Sequence, residues 1–442
     1  MEILLSLLML VVCLFIGVSI PLSFVAASAV IVFLGAYDPL FLFSYGFSKM
    51  NSILLLSIPL FVLAGSIMNK GGLGEKLIQC IERTGIGRIK GGLGAVTAIA
   101  CAVFGAVSGS ASATLSCIGS IMSPRLVENG YDRGFVGALI SSCSVLGLLI
   151  PPSMAMILFA WIGGQSVLAC FLATVLPGIL LVILFSLVNF AYAKKNPNIK
   201  VTPKKVRQPK GEAAEAEAMP GLPKKRKTTT IPALMMPVII LGSIYGGFMT
   251  PTEAAALSVL YAIPVGMFYY KQLSVRDLGG AVIEAGITTG VIMIMLFTVT
   301  ILSRLYTMEN VPQNLLAMLY SISENKYILL ILINIFMVIV GMLMDDTSAM
   351  LLVTPILLPI AVELGISPIH LAAIVGVNLG MGNITPPTAP LLYLAGRITE
   401  AETETMLKPT MSMIIFAWTP TLILTTYIPE FSLFLPKAFG VM

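Results

Sequence analysis

The sequence predicts an all-α integral membrane protein built as two inverted-topology repeats, with about ten spans and two re-entrant helical hairpins. Three observations carry this. Hydrophobic residues make up 57% of 442 positions and charged residues only 11%, where a soluble domain carries about 25% charge. Prolines and glycines in the two halves recur at a nearly constant separation. Basic residues are unevenly shared among the segments between apolar runs.

A mean hydropathy of +0.98 leaves too little polar surface to cover a soluble fold. Apolar runs at 53–68, 234–247, 291–302 and 328–344 approach the ~20 residues that cross a bilayer as a helix. A membrane barrel would instead show short alternating segments, so the lipid bilayer is the expected environment and helix the expected structure. Segment 1–20 carries Glu2 where a signal peptide is basic and has no small-residue cleavage site, so it reads as a retained first span.

The formal charge of +5 does not indicate nucleic acid, because 11 of the 26 basic residues lie in 194–227. That stretch is rich in Pro, Lys and Glu without apolar periodicity, as expected of a solvated cytoplasmic linker at 194–230. Six cysteines fall in the first half without metal or redox spacing, and read as small buried apolar side chains. His370 is the only histidine, which argues against a His-based metal or proton-relay centre. No phosphate loop and no nucleophile–base–acid set is present, so neither an enzyme nor a bound cofactor is expected.

The linker divides a first repeat, 1–193, from a second, 231–442. At an offset of 235, Pro124 falls on Pro359, Gly130 on Gly365, Gly147 on Gly382, and Pro151-Pro152 on Pro386-Pro387. At 230, Gly17 falls on Gly247 and Pro21 on Pro251. Duplications of this kind mark many secondary transporters. Five spans are read in each half, at 3–20, 22–36, 53–69, 134–163 and 166–193, then at 232–248, 251–270, 282–303, 369–396 and 404–428. An odd number per half turns the second upside down.

Each half also holds a segment that should not cross. Segment 93–123 is too long for one straight span and has Lys90, Arg125 and Arg133 around it. It is expected to enter and leave on one side, turning at Ser108-Gly109-Ser110-Ala111-Ser112. Its mate, 328–362, should turn at Asp345-Asp346-Thr347-Ser348. With the linker inside, 22 of the 26 basic residues fall inside, which fixes the expected orientation. Segment 72–88 has Leu73, Leu77, Ile78 and Ile81 on one face; it reads either as a helix in the membrane interface or as a connecting helix, with 311–323 as counterpart.

Four places interrupt the apolar pattern: the two hairpin tips and the Pro-Pro breaks of 134–163 and 369–396. Proline brings no helical donor and unwinds the residue before it, so carbonyls are freed at 144–150 and 380–385. Free backbone in a membrane persists only where something satisfies it. Carbonyls, hydroxyls and carboxylates suit a hard cation, and half-helix N-termini suit an anion. Asp345 and Asp346 either line such a site or mark an exit into water; the first reading is favoured by the alignment of Asp345 with Ser110. The tip serines can also serve helix contacts. Asn378 and Asn383 are buried amides that need partners. Glu253 reads as a helix cap in Thr250-Pro251-Thr252-Glu253, and Arg304 as an interfacial anchor.

At these motifs the chain resembles the large membrane subunit of tripartite ATP-independent periplasmic (TRAP) transporters. The resemblance is carried by Phe104-Gly-Ala-Val-Ser-Gly-Ser-Ala-Ser-Ala113, Gly147-Leu-Leu-Ile-Pro-Pro-Ser153, Thr250-Pro-Thr-Glu-Ala-Ala-Ala256, Gly341-Met-Leu-Met-Asp345, Thr354-Pro-Ile-Leu-Leu-Pro359 and Asn378-Leu-Gly-Met-Gly-Asn-Ile-Thr-Pro-Pro387. It implies an elevator-type secondary transporter in a bacterial inner membrane, taking up a small organic anion (a carboxylate) with Na⁺ as coupling ion. It also implies two partners, a small four-helix membrane subunit and a periplasmic substrate-binding protein.

Carried onto this chain, Ser108, Gly109 and Ser110 would serve one Na⁺ site with the backbone before Pro151, at Gly147 and Ile150. Asp345 with the backbone near Thr385, at Gly382, would serve a second. Ser112, Thr347, Ser348, Asn378 and Asn383, with the breaks at Pro151 and Pro386, are expected to face the substrate. The linker 194–230 is longer than the resemblance implies, and Asn383 stands where it implies an apolar residue. A stand-alone Na⁺-coupled carboxylate carrier and a passive channel are the competing readings.

Overall fold

The computed structural model describes residues 2–200 and 229–442. Most of the 194–230 linker lies outside the described residues. All regular structure among those described is helical. Seven helices are long and apolar enough to cross a membrane, and an eighth candidate is the bent pair Arg133–Leu149 and Met154–Gly163, kinked by 41°. Five further apolar helices have 15 to 17 residues, among them Glu2–Ile16 and Gly92–Ser108. Large apolar side chains such as Phe33, Ile53 and Phe248 stand more than 80% exposed, as a lipid-facing surface requires and a water-facing one does not.

Helix ends follow local chemistry. Asp38, Ser110, Asp132, Ser153, Ser166, Asn325 and Asp345 each cap the helix that follows through a side-chain oxygen. Thr250 and Glu253 form a reciprocal capping box, as do Ser274 and Asp277. The second box starts Val275–Met308 seven residues before the expected span, producing a 34-residue helix about 51 Å long. Two helices went unread in the sequence. Pro39–Met50 is short and polar at Ser48 and Lys49, and its one signal is the Asp38-Pro39 start. Pro429–Ala438 packs against Val167–Lys195.

The landmarks paired by the offsets share local geometry. Gly17 and Gly247 both have positive φ, as do Gly130 and Gly365. Ala111–Glu128 and Asp346–Glu363 are both 18 residues long, with Ser110 and Asp345 as their caps. Pro151-Pro152 and Pro386-Pro387 both have cis peptide bonds. Leu73–Arg83 follows Gly72 at φ 70° and Val311–Ile322 follows Asn310 at φ 55°. These last two helices differ in burial. Leu73, Leu77 and Ile78 are fully buried, so the first packs on protein as a connecting helix, whereas only Val311 and Pro312 of the second are buried.

Packing crosses between the halves. Gly92–Ser108 and Ala111–Glu128 form the first hairpin, and Lys326–Leu343 with Asp346–Glu363 form the second pair. Met154–Gly163, beyond the first break, packs on Asp346–Glu363. Pro390–Thr399, beyond the second, packs on Ala111–Glu128 and Arg133–Ser144. Ile53–Lys70 lies against the long Val275–Met308 helix. The base of the first hairpin is pinned by buried Asn189, whose Nδ2 donates to the Gly91 carbonyl at 2.6 Å and whose Oδ1 accepts from Tyr131 Oη at 3.1 Å.

The first hairpin meets its broken helix mostly through backbone, with Thr114 Oγ1 the one side-chain atom among the nearest, 2.6 Å from where a Cβ on Gly147 would stand. A Cβ on Gly105 would stand 2.5 Å from Gly147 Cα, and one on Gly147 would stand 2.7 Å from the Ser110 carbonyl. Backbone cannot yield as a flexible side chain can. Gly105→Ala and Gly147→Ala should each lower the midpoint of thermal unfolding in detergent, by the equivalent of about 1–3 kcal/mol. Gly290→Ala, where nothing lies within 4 Å, should keep it in place or raise it slightly, since alanine favours a helix over glycine; equal losses at all three positions would overturn the assignment of this contact.

Candidate functional site

The first tip is assembled by the turn between the hairpin limbs. Gly109 takes φ 62°, a left-handed conformation that costs glycine little. The chain then reverses and Ser110 begins the second limb, its Oγ accepting from Ala113 N at 3.4 Å. Thr114 Oγ1 donates to the Ser110 carbonyl at 2.8 Å and stands 3.1 Å from Ser108 Oγ. Ser112 Oγ stands 3.1 Å from Ser110 Oγ.

The first break closes onto that turn. Pro151 and Pro152 bring no N–H, so Gly147 and Leu148 have no helical donor four residues on. The helix restarts at Met154, whose N–H donates to the Gly109 carbonyl at 3.1 Å. Ile150 turns its side chain away from the tip, towards Gly178 on Val167–Lys195. Ser108, Gly109, Ser110, Gly147 and the break at Pro151 therefore share one place, rich in hydroxyl and carbonyl oxygens.

The second tip is organised by one carboxylate. Asp345 accepts from Thr347 N at 3.1 Å, from Ser348 N at 3.4 Å and from the Ser348 hydroxyl. Ser348 Oγ also lies 2.8 Å from Met295 Sδ on the long helix. The tip rests on the second break. Gly341 and Gly382 approach so closely that a Cβ on Gly382 would stand 2.7 Å from Gly341 Cα. With its amide oriented to suit its neighbours, Asn383 Nδ2 donates to the carbonyls of Gly341 and Met344 at 3.2 Å each. Asn383 thus has a physical use that an apolar residue lacks, a clamp between the break and the limb that leads to Asp345. Thr385 bonds within its own turn, its N–H to Gly382 O at 2.9 Å and its hydroxyl to Met381 O at 2.6 Å.

Asn378 lies elsewhere. Its Nδ2 donates to Asn334 Oδ1 and to the Ile374 carbonyl, both at 2.8 Å, and Asn334 in turn donates to Thr426 Oγ1 at 3.2 Å. This fully buried bridge ties three helices together, and leaves Asn378 Oδ1 without a partner.

A cavity of about 230 Å³ opens on the first tip. One wall is the tip itself, with Ser108, Ser110, Ser112 and Ser116; the other is Ser66 and Asn69 of Ile53–Lys70 with Glu284 and Thr288 of Val275–Met308. Ser66 Oγ donates to Glu284 Oε2 at 2.9 Å, and Lys70 Nζ lies 3.1 Å from the same oxygen. Sequence reasoning missed this second wall. The available signal was Glu284, the one carboxylate inside the apolar part of its helix beyond the capping Asp277, a rare and usually functional placement.

The family described as "Tripartite ATP-independent periplasmic transporter, DctM component" matches residues 7–431. The isethionate TRAP transporter permease protein DctMQ of Oleidesulfovibrio alaskensis is 32% identical over 424 residues, 95% of this chain; the match spans 64% of that relative's length. The C4-dicarboxylate TRAP transporter large permease protein DctM of Pseudomonas aeruginosa is 34% identical, covering 88% of this chain and 87% of that one. The sialic acid TRAP transporter large permease protein SiaM of Vibrio cholerae is 30% identical over the same shares. The fold is similar to the crystal structure of the Alcanivorax borkumensis YdaH transporter, with a TM-score of 0.61 at 15% identity over 91% of this chain and 88% of that one. Family and relatives are transporter permeases, not enzymes. With its helical membrane fold, its two Pro-Pro breaks and this match over nearly its whole length, the chain belongs to the DctM component family of TRAP transporters.

Proposed function

We propose that this chain is the large permease subunit of a tripartite carrier in a bacterial inner membrane, taking up a small organic anion coupled to Na⁺. The anion would be delivered by a periplasmic binding protein, with a small four-helix subunit as membrane partner. Relatives named for C4-dicarboxylates, sialic acid and isethionate support an anionic substrate. The observation that carries the reading is the joining of each tip to a Pro-Pro break. Ser108, Gly109, Ser110 and Gly147, with the backbone at Ile150, would offer oxygen to one Na⁺; Asp345 with the backbone at Gly382 and Thr385 would offer it to another. Ser112 and Thr347, at the tips, would meet substrate, with the breaks at Pro151 and Pro386 behind them; Ser348 and Asn383 are buried and would shape the second tip, and Asn378 lies apart in the buried bridge.

The two halves are read as inverted repeats, 1–193 and 231–442, that move as an elevator with two re-entrant hairpins. The matched helix lengths, caps and glycine conformations favour this reading. So does the reciprocal packing of each broken helix on the other half's hairpin, which lets tips and breaks travel as one body.

Three outcomes follow. Uptake into proteoliposomes should need both an inward Na⁺ gradient and the binding protein; uptake with neither would refute the coupled tripartite mechanism. Asp345→Asn keeps an acceptor for Thr347 N but removes the charge, so apparent Na⁺ affinity should fall roughly tenfold, about 1.4 kcal/mol, while the protein still inserts; unaltered Na⁺ dependence would remove Asp345 from the site. A cysteine at Lys271 should resist an impermeant maleimide applied outside intact cells, and ready labelling would reverse the orientation.

A further inference from the structure

The tip cavity contains a charge that its proposed passenger should dislike. Glu284 is the one charged residue on its described walls, and an organic anion entering beside an uncompensated carboxylate would be repelled. Lys70 removes the conflict. Its Nζ reaches Glu284 Oε2 at 3.1 Å beside Gly280 of the long helix, where an added Cβ would stand 3.1 Å from it. A glycine one turn before Glu284 gives the ammonium room to reach that carboxylate.

The pair also marks a boundary. A second cavity of about 470 Å³ begins where the first ends, with Asn69 on both walls. Along Ala111–Glu128 the walls advance from Ser112 and Ser116 in the tip cavity to Ser120 and Pro124 in the second. Along Ile53–Lys70 they advance from Ser66 to Lys70. Lys70 and Glu284 therefore stand at the junction, facing a lane of serine hydroxyls on the hairpin limb. The second cavity is also lined by Arg125, already paired with Glu82 at 3.0 Å, and by the carboxylates Glu75 and Glu128, so Lys70 is the cation there that Glu82 does not hold.

Resting on the organic-anion reading above, we propose that Lys70 is the residue that reads the passenger's anionic end at this junction, and that Glu284 is its exchangeable counter-ion. In the empty protein Glu284 holds Lys70 in place. An arriving carboxylate or sulfonate takes Nζ, and Glu284 retains its bond from Ser66. The exchange costs little because the pair is partly solvent-exposed, with side chains 32% and 58% accessible, and such pairs are weak. A departing anion is displaced by Glu284 in the same way, so binding stays loose enough for release.

The test is the sign of two single substitutions. Purified protein is titrated with sodium succinate, sodium isethionate and sodium N-acetylneuraminate at constant Na⁺, reading the shift in thermal unfolding, with sodium chloride as control. For whichever anions stabilise the native protein, Lys70→Gln should raise the half-saturating concentration roughly tenfold, the loss of one charge-assisted contact. Glu284→Gln should lower it, because the competitor is gone. A merely structural ion pair predicts the same direction for both and restoration in the double variant; that outcome, or no stabilisation by any of the three anions, overturns the proposal. Unfolding midpoints without anion show whether each variant is folded, and Gly280→Ala, which displaces Lys70 without altering charge, should weaken anion binding if Glu284→Gln alone proves unstable. Na⁺-driven uptake by the native protein, measured in parallel, separates the two levels. If it is absent, the functional reading fails; if it is present while both variants bind anions as the native protein does, only this inference fails.

Discussion

The structure depends on the requirement that backbone polar groups inside a membrane find partners within the protein. Two cis Pro-Pro pairs interrupt otherwise apolar helices and remove donors that those helices need. The breaks are tolerable because each lies against a hairpin tip. At the first, Met154 N–H and the Gly109 carbonyl satisfy each other; at the second, the Thr385 and Leu391 N–H groups donate to the freed carbonyls of Gly382 and Asn383, and the Asn383 side chain bonds the carbonyls of Gly341 and Met344 on the facing limb. Removing side chains makes this possible. Gly105 against Gly147 and Gly341 against Gly382 let backbone approach backbone, as small residues do wherever membrane helices pack closely.

The two tips solve the same problem with different chemistry. The first gathers neutral hydroxyls around Ser108, Ser110 and Thr114. The second concentrates three donors on Asp345. A carboxylate has about four lone-pair positions, so an oxygen that caps a helix can still face a cation. Capping and ion binding are therefore compatible, and capping holds the carboxylate in one orientation beforehand. The neutral tip has no such charge and would depend on carbonyls at the adjoining break.

Lys70 and Glu284 extend the same logic beyond the tips. They sit on Ile53–Lys70 and Val275–Met308, which pack on each other, and face the hairpin across the cavity. One wall of the site is thus tip and break, and the other is a pair of helices with an ion pair between them. A passenger lying in the cavity would touch both walls.

Much of this was written in the sequence. Hydropathy gave the helical membrane class because no soluble fold could hide so much apolar surface, though among the described residues seven helices, or eight with the bent pair, are long enough to cross where the sequence predicts about ten spans. The offsets that paired Gly17 with Gly247 and Gly130 with Gly365 located residues that take the same positive φ, since backbone conformation is a local property that glycine reports. Pro151-Pro152 and Pro386-Pro387 marked the breaks because proline's missing donor acts wherever it stands. What only the tertiary structure decided is which distant surfaces meet. Leu73, Leu77 and Ile78 form an apolar stripe that lipid or protein could cover, and protein covers it. Asn378 and Asn383 look equivalent in the sequence, yet one joins a buried helix bridge and the other clamps a tip. Glu284 drew no notice in the sequence, because its meaning comes from Ser66 and Lys70, more than 200 positions away. Local conformation is fixed by neighbouring residues and is legible in order; partnership across a cavity is fixed by packing, which the order of residues does not display.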